Sequence, residues 1–433
     1  MGRSALTGPV SVATALILSL FRARRVLVPT IVVAAAMAPV FWRFISEDSP
    51  SDHSAHIQFI LDGKIPTYPL YHFSVVGLAK CLEIAANRLP NFRDWLELSL
   101  NDDALAYKLR LQYSAIVVLT LACTATAALS AGYLASRTSA STFALSVICL
   151  GLALAMPLPT TTYLKQLSLP PGRRLPPGYA LYLGQITPNV WHNPTTIFAM
   201  PFAVALFWVA TRAVRDFTLG AAVALAVAAI LSLLAKPNYA LAVLPVVAIV
   251  LASSRCSLDR KISRLLAAFT LPLIVLWGQA AVLVGPYGRA TEEMLISPFE
   301  VWDRFSQNIP LSAFVGIVFP LSVLLVYHGR FATETPLKLA WVALGTGVFQ
   351  YSVLIEGGER STAGNWGWGM MFADHILFLA SCDYVLRQRL DARKAICCAA
   401  FLVHVGFGIF SLRQCMIDPK WTSVSGLVPV LFS

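Results

Sequence analysis

The residues most able to do chemistry lie in an early polar stretch, "SDHSAHIQFILDGKIP", residues 51 to 66. Ser51 or Asp52 can cap a helix starting there, and Gly63 and Pro66 end it, so Asp52 stands at a helix amino terminus. Asp52 and His56 are spaced i,i+4 and share one face, with His53 beside them. A carboxylate and an imidazole held together can take a proton from a hydroxyl. The plainer alternative is that Asp52 is only a cap and the histidines suit an interface. Glu47, Asp48 and Asp52 could form a carboxylate site for a divalent cation such as Mg or Mn, or simply an acidic surface patch.

Three further stretches carry polar groups among apolar ones. In "ITPNVWHNPTTIFAMPF", residues 186 to 202, Pro194 fits a first helical turn and Asn193 can cap it, which leaves helix N–H groups free to meet an anion beside His192. The alternative is an ordinary helix start with an interfacial Trp191. In "LAKPNYALAV" Lys236 sits in a tight turn between two apolar helices, either snorkelling to lipid headgroups or binding a phosphate. In "EGGERSTAGNWGWGMMFADH", residues 356 to 375, glycines separate Trp366 and Trp368 from Glu356, Glu359, Arg360 and Asn365. Such a loop suits a sugar, or an aromatic belt at an interface. Asp374 and His375 fall about one turn into the next apolar segment, where ionisable groups line a polar cavity or pair with each other or with Arg360. Arg173 and Arg174 on a Pro-rich loop read as solvated or touching headgroups, and Asp383 as a salt-bridge partner for nearby arginines. Residues 287 to 310, with Trp302 and Arg304, form an amphipathic segment that carries no chemistry beyond a lid.

The elements that must position these groups are set by composition. The chain is 57% hydrophobic and 13% charged with a mean hydropathy of +0.68, too apolar for an ordinary globular surface. It therefore reads as an all-α polytopic membrane protein forming a single domain, residues 1 to 433. The net charge of +11 is scattered in short clusters between apolar runs, the pattern of membrane topology rather than of nucleic-acid binding. Cys123, Cys149, Cys382, Cys397 and Cys398 lie inside apolar runs and form no metal or disulfide pattern.

A span needs roughly 20 apolar residues. Segments 26–44, 111–134, 142–158, 196–212, 217–235, 238–253, 265–284, 311–327, 338–355, 370–386 and 395–412 give about eleven transmembrane helices. Placing Arg22, Arg24, Arg25, Arg137, Arg212, Arg215, Arg255, Arg260, Lys261, Arg264, Arg330, Lys338, Arg387, Arg389, Arg393 and Lys394 on one side satisfies the positive-inside rule. Residues 1–25 are then a cytoplasmic lead, with 5–20 a surface helix or a disordered segment, and 45–110 is the first outer loop. Residues 68–87 are apolar enough to span, but a crossing there would flip every later basic loop, and Lys80 and Glu83 interrupt it. Residues 53–62 and 69–87 are therefore expected as two helices along the outer interface.

The stretch "DHSAHIQFILDGKIPTYPLYH", with an acidic residue after the first span, a short interfacial helix, a glycine and a Pro-containing extension, resembles the first outer loop of the GT-C glycosyltransferases. These include the protein O-mannosyltransferase and aminoarabinose transferase branches. The resemblance covers the topology of most of the chain, while the motif itself spans about residues 52 to 72. It implies a polyprenyl-phosphate-linked sugar donor, a glycan or glycolipid acceptor, inversion at the anomeric centre, and Asp52 as general base with His56 orienting it or touching phosphate. His192, Asn193, Lys236 and Arg360 become the candidates to meet the donor phosphate, and His53, Trp366, Trp368 and Asp374 those to meet acceptor or sugar. His53 after Asp52 departs from the Asp-Glu pair common in the family, which leaves a metal or second carboxylate open. The expected place is the inner membrane of a bacterium, with the site on the outer face. No Walker loop, nucleotide-binding glycine motif, HExxH or paired-cysteine metal site is present, which speaks against an ATP-driven pump and a nucleotide-sugar enzyme. A polysaccharide polymerase or O-antigen ligase, with outer-loop arginines and a lipid-diphosphate donor, is one alternative. A lipid-linked sugar transporter or flippase, which should show repeats and broken helices, is the other.

Overall fold

The computed structural model describes residues 9–46, 52–64, 66–88, 102–158, 183–253, 257–284, 294–306, 308–331, 333–357 and 364–417. Glu47, Asp48, Arg173, Arg174, Glu359 and Arg360 lie outside these described residues. The described chain is almost wholly helical. In order it forms α1 (Pro9–Ser46), α2 (Asp52–Leu61), α3 (Leu70–Arg88), α4 (Asp103–Arg137), α5 (Thr142–Leu154), α6 (Pro194–Arg215), α7 (Leu219–Ala235), α8 (Asn238–Ala252) and α9 (Leu258–Val284). After β1 (Met294–Ile296) come α10 (Glu300–Phe305), α11 (Ile309–Gly316), α12 (Val318–Val326), α13 (His328–Phe331), α14 (Thr335–Val353), β2 (Leu354–Glu356), α15 (Gly367–Leu386) and α16 (Ala392–Ile417). The two strands pair antiparallel, Leu295 opposite Ile355.

Local chemistry explains several boundaries. Asp102 caps α4 by accepting from the N–H groups of Ala104 and Leu105, Ser141 caps α5, and Thr218 caps α7. Asn193 caps α6 with proline next in line, as the sequence predicts. Each of the eleven expected segments falls largely within a helix or, for 311–327, a helix pair. Among the described residues, six helices are long and apolar enough to cross a membrane: α4, α6, α15, and parts of α1, α9 and α16. The chain is thus a multi-pass membrane protein of the all-α class. The α11–α12 pair is bent by 72° at Ile317, and α5, α7 and α8 are shorter apolar helices. Residues 9–20, expected as a separate surface helix or lead, instead continue directly into the first span as part of α1.

Burial ranks the helices. Nearly all of α15 is buried, 94% of its most apolar window, whereas the corresponding windows of α9, α1 and α16 are only 17% to 28% buried. The apolar residues that α9 exposes, such as Leu266, Leu273 and Trp277, cannot face water and suit lipid. Around α15 pack α14, α8, α12 and α6. Gly347 on α14 makes the closest of these approaches possible, since a Cβ there would stand 2.8 Å from the backbone of Met370. His404 of α16 ties the broken pair in place: Nδ1–H donates to Met156 O at 2.7 Å, and the Phe319 N–H donates to Nε2 at 3.3 Å.

The bundle has two polar ends. α6 runs from Pro194 to Arg215 and α15 from Gly367 to Leu386, each about 30 Å long at 1.5 Å per residue. At one end Arg137 and Arg387 both reach Asp383 Oδ2, at 2.9 Å and 3.2 Å, and Arg387 also pairs with Glu334 at 2.7 Å. Asp383 is the salt-bridge partner the sequence suggested. Arg25 donates to Thr138 O at 2.9 Å close by. The opposite end holds the candidate site.

Candidate functional site

The site is built on a loop that the fold pins from every side. Residues 183–193, leading into α6, are mostly buried, so their backbone carbonyls need partners. Tyr351 donates to Leu183 O at 2.7 Å, Trp302 Nε1 to Gly184 O at 3.1 Å, and His375 Nδ1 to Pro188 O at 3.1 Å. His53 Nε2 donates to Trp191 O at 3.0 Å. In return the Asn189 amide donates to Leu152 O and Ala155 O, and Trp191 Nε1 to Ala153 O. The result is a rigid entry to α6 that carries His192 and Asn193. Trp302, expected in a lid-like segment, is instead a buried anchor of this loop.

Asn193 sits at the centre. Its Nδ2 donates to Asp52 Oδ2 at 2.7 Å. Its Oδ1 accepts from Lys236 Nζ at 3.1 Å, Thr195 Oγ1 at 2.8 Å, Thr196 Oγ1 at 2.9 Å and the Thr196 N–H at 2.9 Å. The amide can only point this way, because the lysine and the helix N–H both require an acceptor. Lys236 Nζ also reaches Thr195 Oγ1 at 3.1 Å and Thr196 Oγ1 at 2.8 Å, and lies 4.2 Å from the centre of the Trp368 ring. His192 Nε2 stands 3.9 Å from Asp52 Oδ2. One amide therefore links a carboxylate to an ammonium.

Burial governs the charges. Lys236 is 2% exposed, and its desolvation in the turn between α7 and α8 pushes the ammonium down to about 7, with Asp52 partly opposing. It does not snorkel to headgroups. Burial lowers His192 against the pull of Asp52, and pushes His53 down to about 4 despite the Trp191 hydrogen bond. Both imidazoles are neutral near pH 7. The Asp52 side chain is 37% exposed and keeps lone pairs open to an incoming group.

The expected partners are only partly brought together. Asp52, His192, Asn193, Lys236 and Trp368 form one cluster, while His53 serves it from behind, stacked 5.9 Å from Phe44. His56, expected to work with Asp52, is buried, and its Nδ1 shares a hydrogen bond with His72 Nε2 at 2.9 Å. Burial holds His56 well below its ordinary value and pushes His72 down to about 4. Trp368 is 7% exposed with Lys236 against its face, so it is not a free stacking platform. Its indole donates to Asn365 Oδ1 at 3.3 Å, and Asn365 donates to Glu356 at 2.7 Å. Trp366 lines a small cavity with Tyr351, Ile355 and Asn365. Asp374 is fully buried within α15, where its carboxylate has no hydrogen-bond partner among the described residues and does not pair with His375. No hydrogen bond or ion pair joins Asp374 to the Asp52 cluster. Among the described residues no group of three or more metal-ligating side chains gathers.

Thr195 and Thr196 belong to the site although the sequence reading passed over them. Their signal was present, since two hydroxyls follow Asn-Pro in the first turn of α6. Thr196 also lines a small, mainly apolar groove, with Val33, Met37, Leu152, Ile197 and Met200 among its walls. Thr196 is thus common to the groove and to the contacts of Lys236. No family model, curated protein or solved structure matches this chain.

Proposed function

We propose that this chain is a membrane glycosyltransferase of the GT-C kind, moving a sugar from a polyprenyl-phosphate donor to a lipid-linked or cell-envelope glycan with inversion. The observation that carries the reading is the bridge Asp52–Asn193–Lys236, a carboxylate and a buried ammonium held apart by one amide, with an apolar groove lined by the neighbouring Thr196. Transfer from a lipid phosphate needs a base for the acceptor hydroxyl and a cationic, hydrogen-bonding seat for the leaving phosphate. Asp52 is the base. Lys236, Thr195, Thr196, His192 and the amino terminus of α6 form the seat, and the groove suits a prenyl tail. Because the donor arrives activated, the protein supplies only orientation, charge and a proton acceptor.

In this reading about eleven helices cross the membrane, α2 and α3 lie along the outer interface, and the Arg137–Asp383–Arg387 end faces the cytoplasm of a bacterial inner membrane. The acceptor approaches Asp52 from the outer face. A divalent cation on Glu47, Asp48 and Asp52 remains the one cofactor to test, by adding a chelator. The transporter alternative draws on the 72° break between α11 and α12 and on the buried Asp374.

The deciding experiment offers purified protein a panel of radiolabelled polyprenyl-phosphate sugars with membrane-glycan acceptors. Transfer that disappears in Asp52→Asn while donor binding persists supports the reading. Full activity of that variant rejects it, and movement of intact donor across vesicles without transfer favours the transporter.

A further inference from the structure

Four donors converge on the Asn193 amide oxygen, which has two lone pairs: an ammonium, two hydroxyls and a backbone N–H. The other end of the same amide holds Asp52 Oδ2. A neutral oxygen is a modest acceptor for so much positive potential, and an anionic one makes roughly twice as strong a bond. Thr196, one of the two hydroxyls, also lines a mainly apolar groove between α1, α4, α5 and α6.

We propose that Asn193 is a latch: its amide oxygen occupies the seat of the donor's phosphate while its amide nitrogen holds the base, so that arrival of the phosphate displaces the side chain and frees Asp52. The proposal rests on the phosphate reading above and adds to it an order of events. Lys236 Nζ, both threonine hydroxyls and the Thr196 N–H exchange the amide oxygen for phosphate oxygens, so no donor is left unpaired. The cap of α6 passes from Asn193 to the ligand, as helix amino termini accept anions readily. The Asn193 backbone is extended, φ −108° and ψ 105°, and does not need to move when the side chain turns. Donor must then bind before acceptor, and Asp52 Oδ2 is released from the amide only when a sugar is in place to receive the alcohol.

The test is binding of polyprenyl phosphate, with polyprenol as the control for the tail, to the full chain in phospholipid nanodiscs. The wild-type chain should prefer the phosphate, and Lys236→Met should erase that preference. Removing the latch in Asn193→Ala should tighten phosphate binding about tenfold, as expected when a closed state no longer competes. Asn193→Asp caps the helix equally well but fills the seat with a carboxylate, and should weaken binding by about tenfold or more. Where Asn193→Ala does not fold, Asn193→Ser, which caps α6 but is too short to hold Asp52, should show the same tightening. Unchanged or weaker binding by Ala and Ser, with Asp benign, overturns the latch and leaves Asn193 a cap or a ligand. A wild-type chain with no preference for phosphate over polyprenol fails the phosphate reading itself, and the latch with it.

Discussion

The two polar ends of the bundle solve the same problem in opposite ways. At one, Asp383 is 1% exposed and meets Arg137 and Arg387 directly, so the opposite charges cancel and the helices are locked. At the other, Asp52 and Lys236 do not touch, because Asn193 is inserted between them. Direct pairing neutralises a carboxylate that is 1% exposed and keeps it out of a substrate's reach. Separation by a neutral amide keeps the carboxylate partly exposed and the ammonium desolvated, a costly arrangement that a purely structural end has no reason to keep.

The sharpest way to break this comparison is to neutralise each carboxylate. Asp52→Asn should lower turnover by about a hundredfold to ten-thousandfold, the usual weight of a general base, with the thermal transition unchanged. Asp383→Ala should do the reverse. Leaving Arg137 half-buried without its partner should cost about 3–5 kcal/mol, read as a lower unfolding temperature in detergent, while activity per folded molecule stays near wild type. A turnover loss in Asp383→Ala without loss of stability would dissolve the distinction.

A smaller effect follows from the lysine. With its ammonium near 7, the charged fraction falls as pH rises through that value, while a donor phosphodiester stays singly anionic. Donor affinity should therefore drop between about pH 6 and pH 8, measured by equilibrium binding. Lys236→Arg keeps its charge throughout and should flatten the profile. The smallest effect is expected at the loop anchor: Trp302→Phe removes the bond to Gly184 O and should cost about 1 kcal/mol in stability, with a modest loss of turnover as the entry to α6 loosens.

Much of the scaffold was legible because its rules are short-range. Apolar runs of the right length marked the helices, and Asn-Pro marked the start of α6. What failed was direction. Asp52 and His56 share i,i+4 spacing on α2, yet His56 turns to His72 on α3 and Asp52 to Asn193. Lys236 looked like an outward turn lysine, and the packing of α6 and α15 turned it inward beneath Trp368. The Arg360 expectation falls outside the described residues.

The sequence alone determined a multi-pass helical membrane protein, the caps that begin its helices, and a short set of polar residues too expensive to be idle in such surroundings. Only the tertiary structure decided which of them meet: Asp52 and Asn193 are 141 residues apart, and Asn193 and Lys236 are 43 apart. Capping, periodicity and hydropathy act over a few neighbouring residues. Partnership between distant polar groups depends on how buried helix faces pack, and no local pattern encodes it.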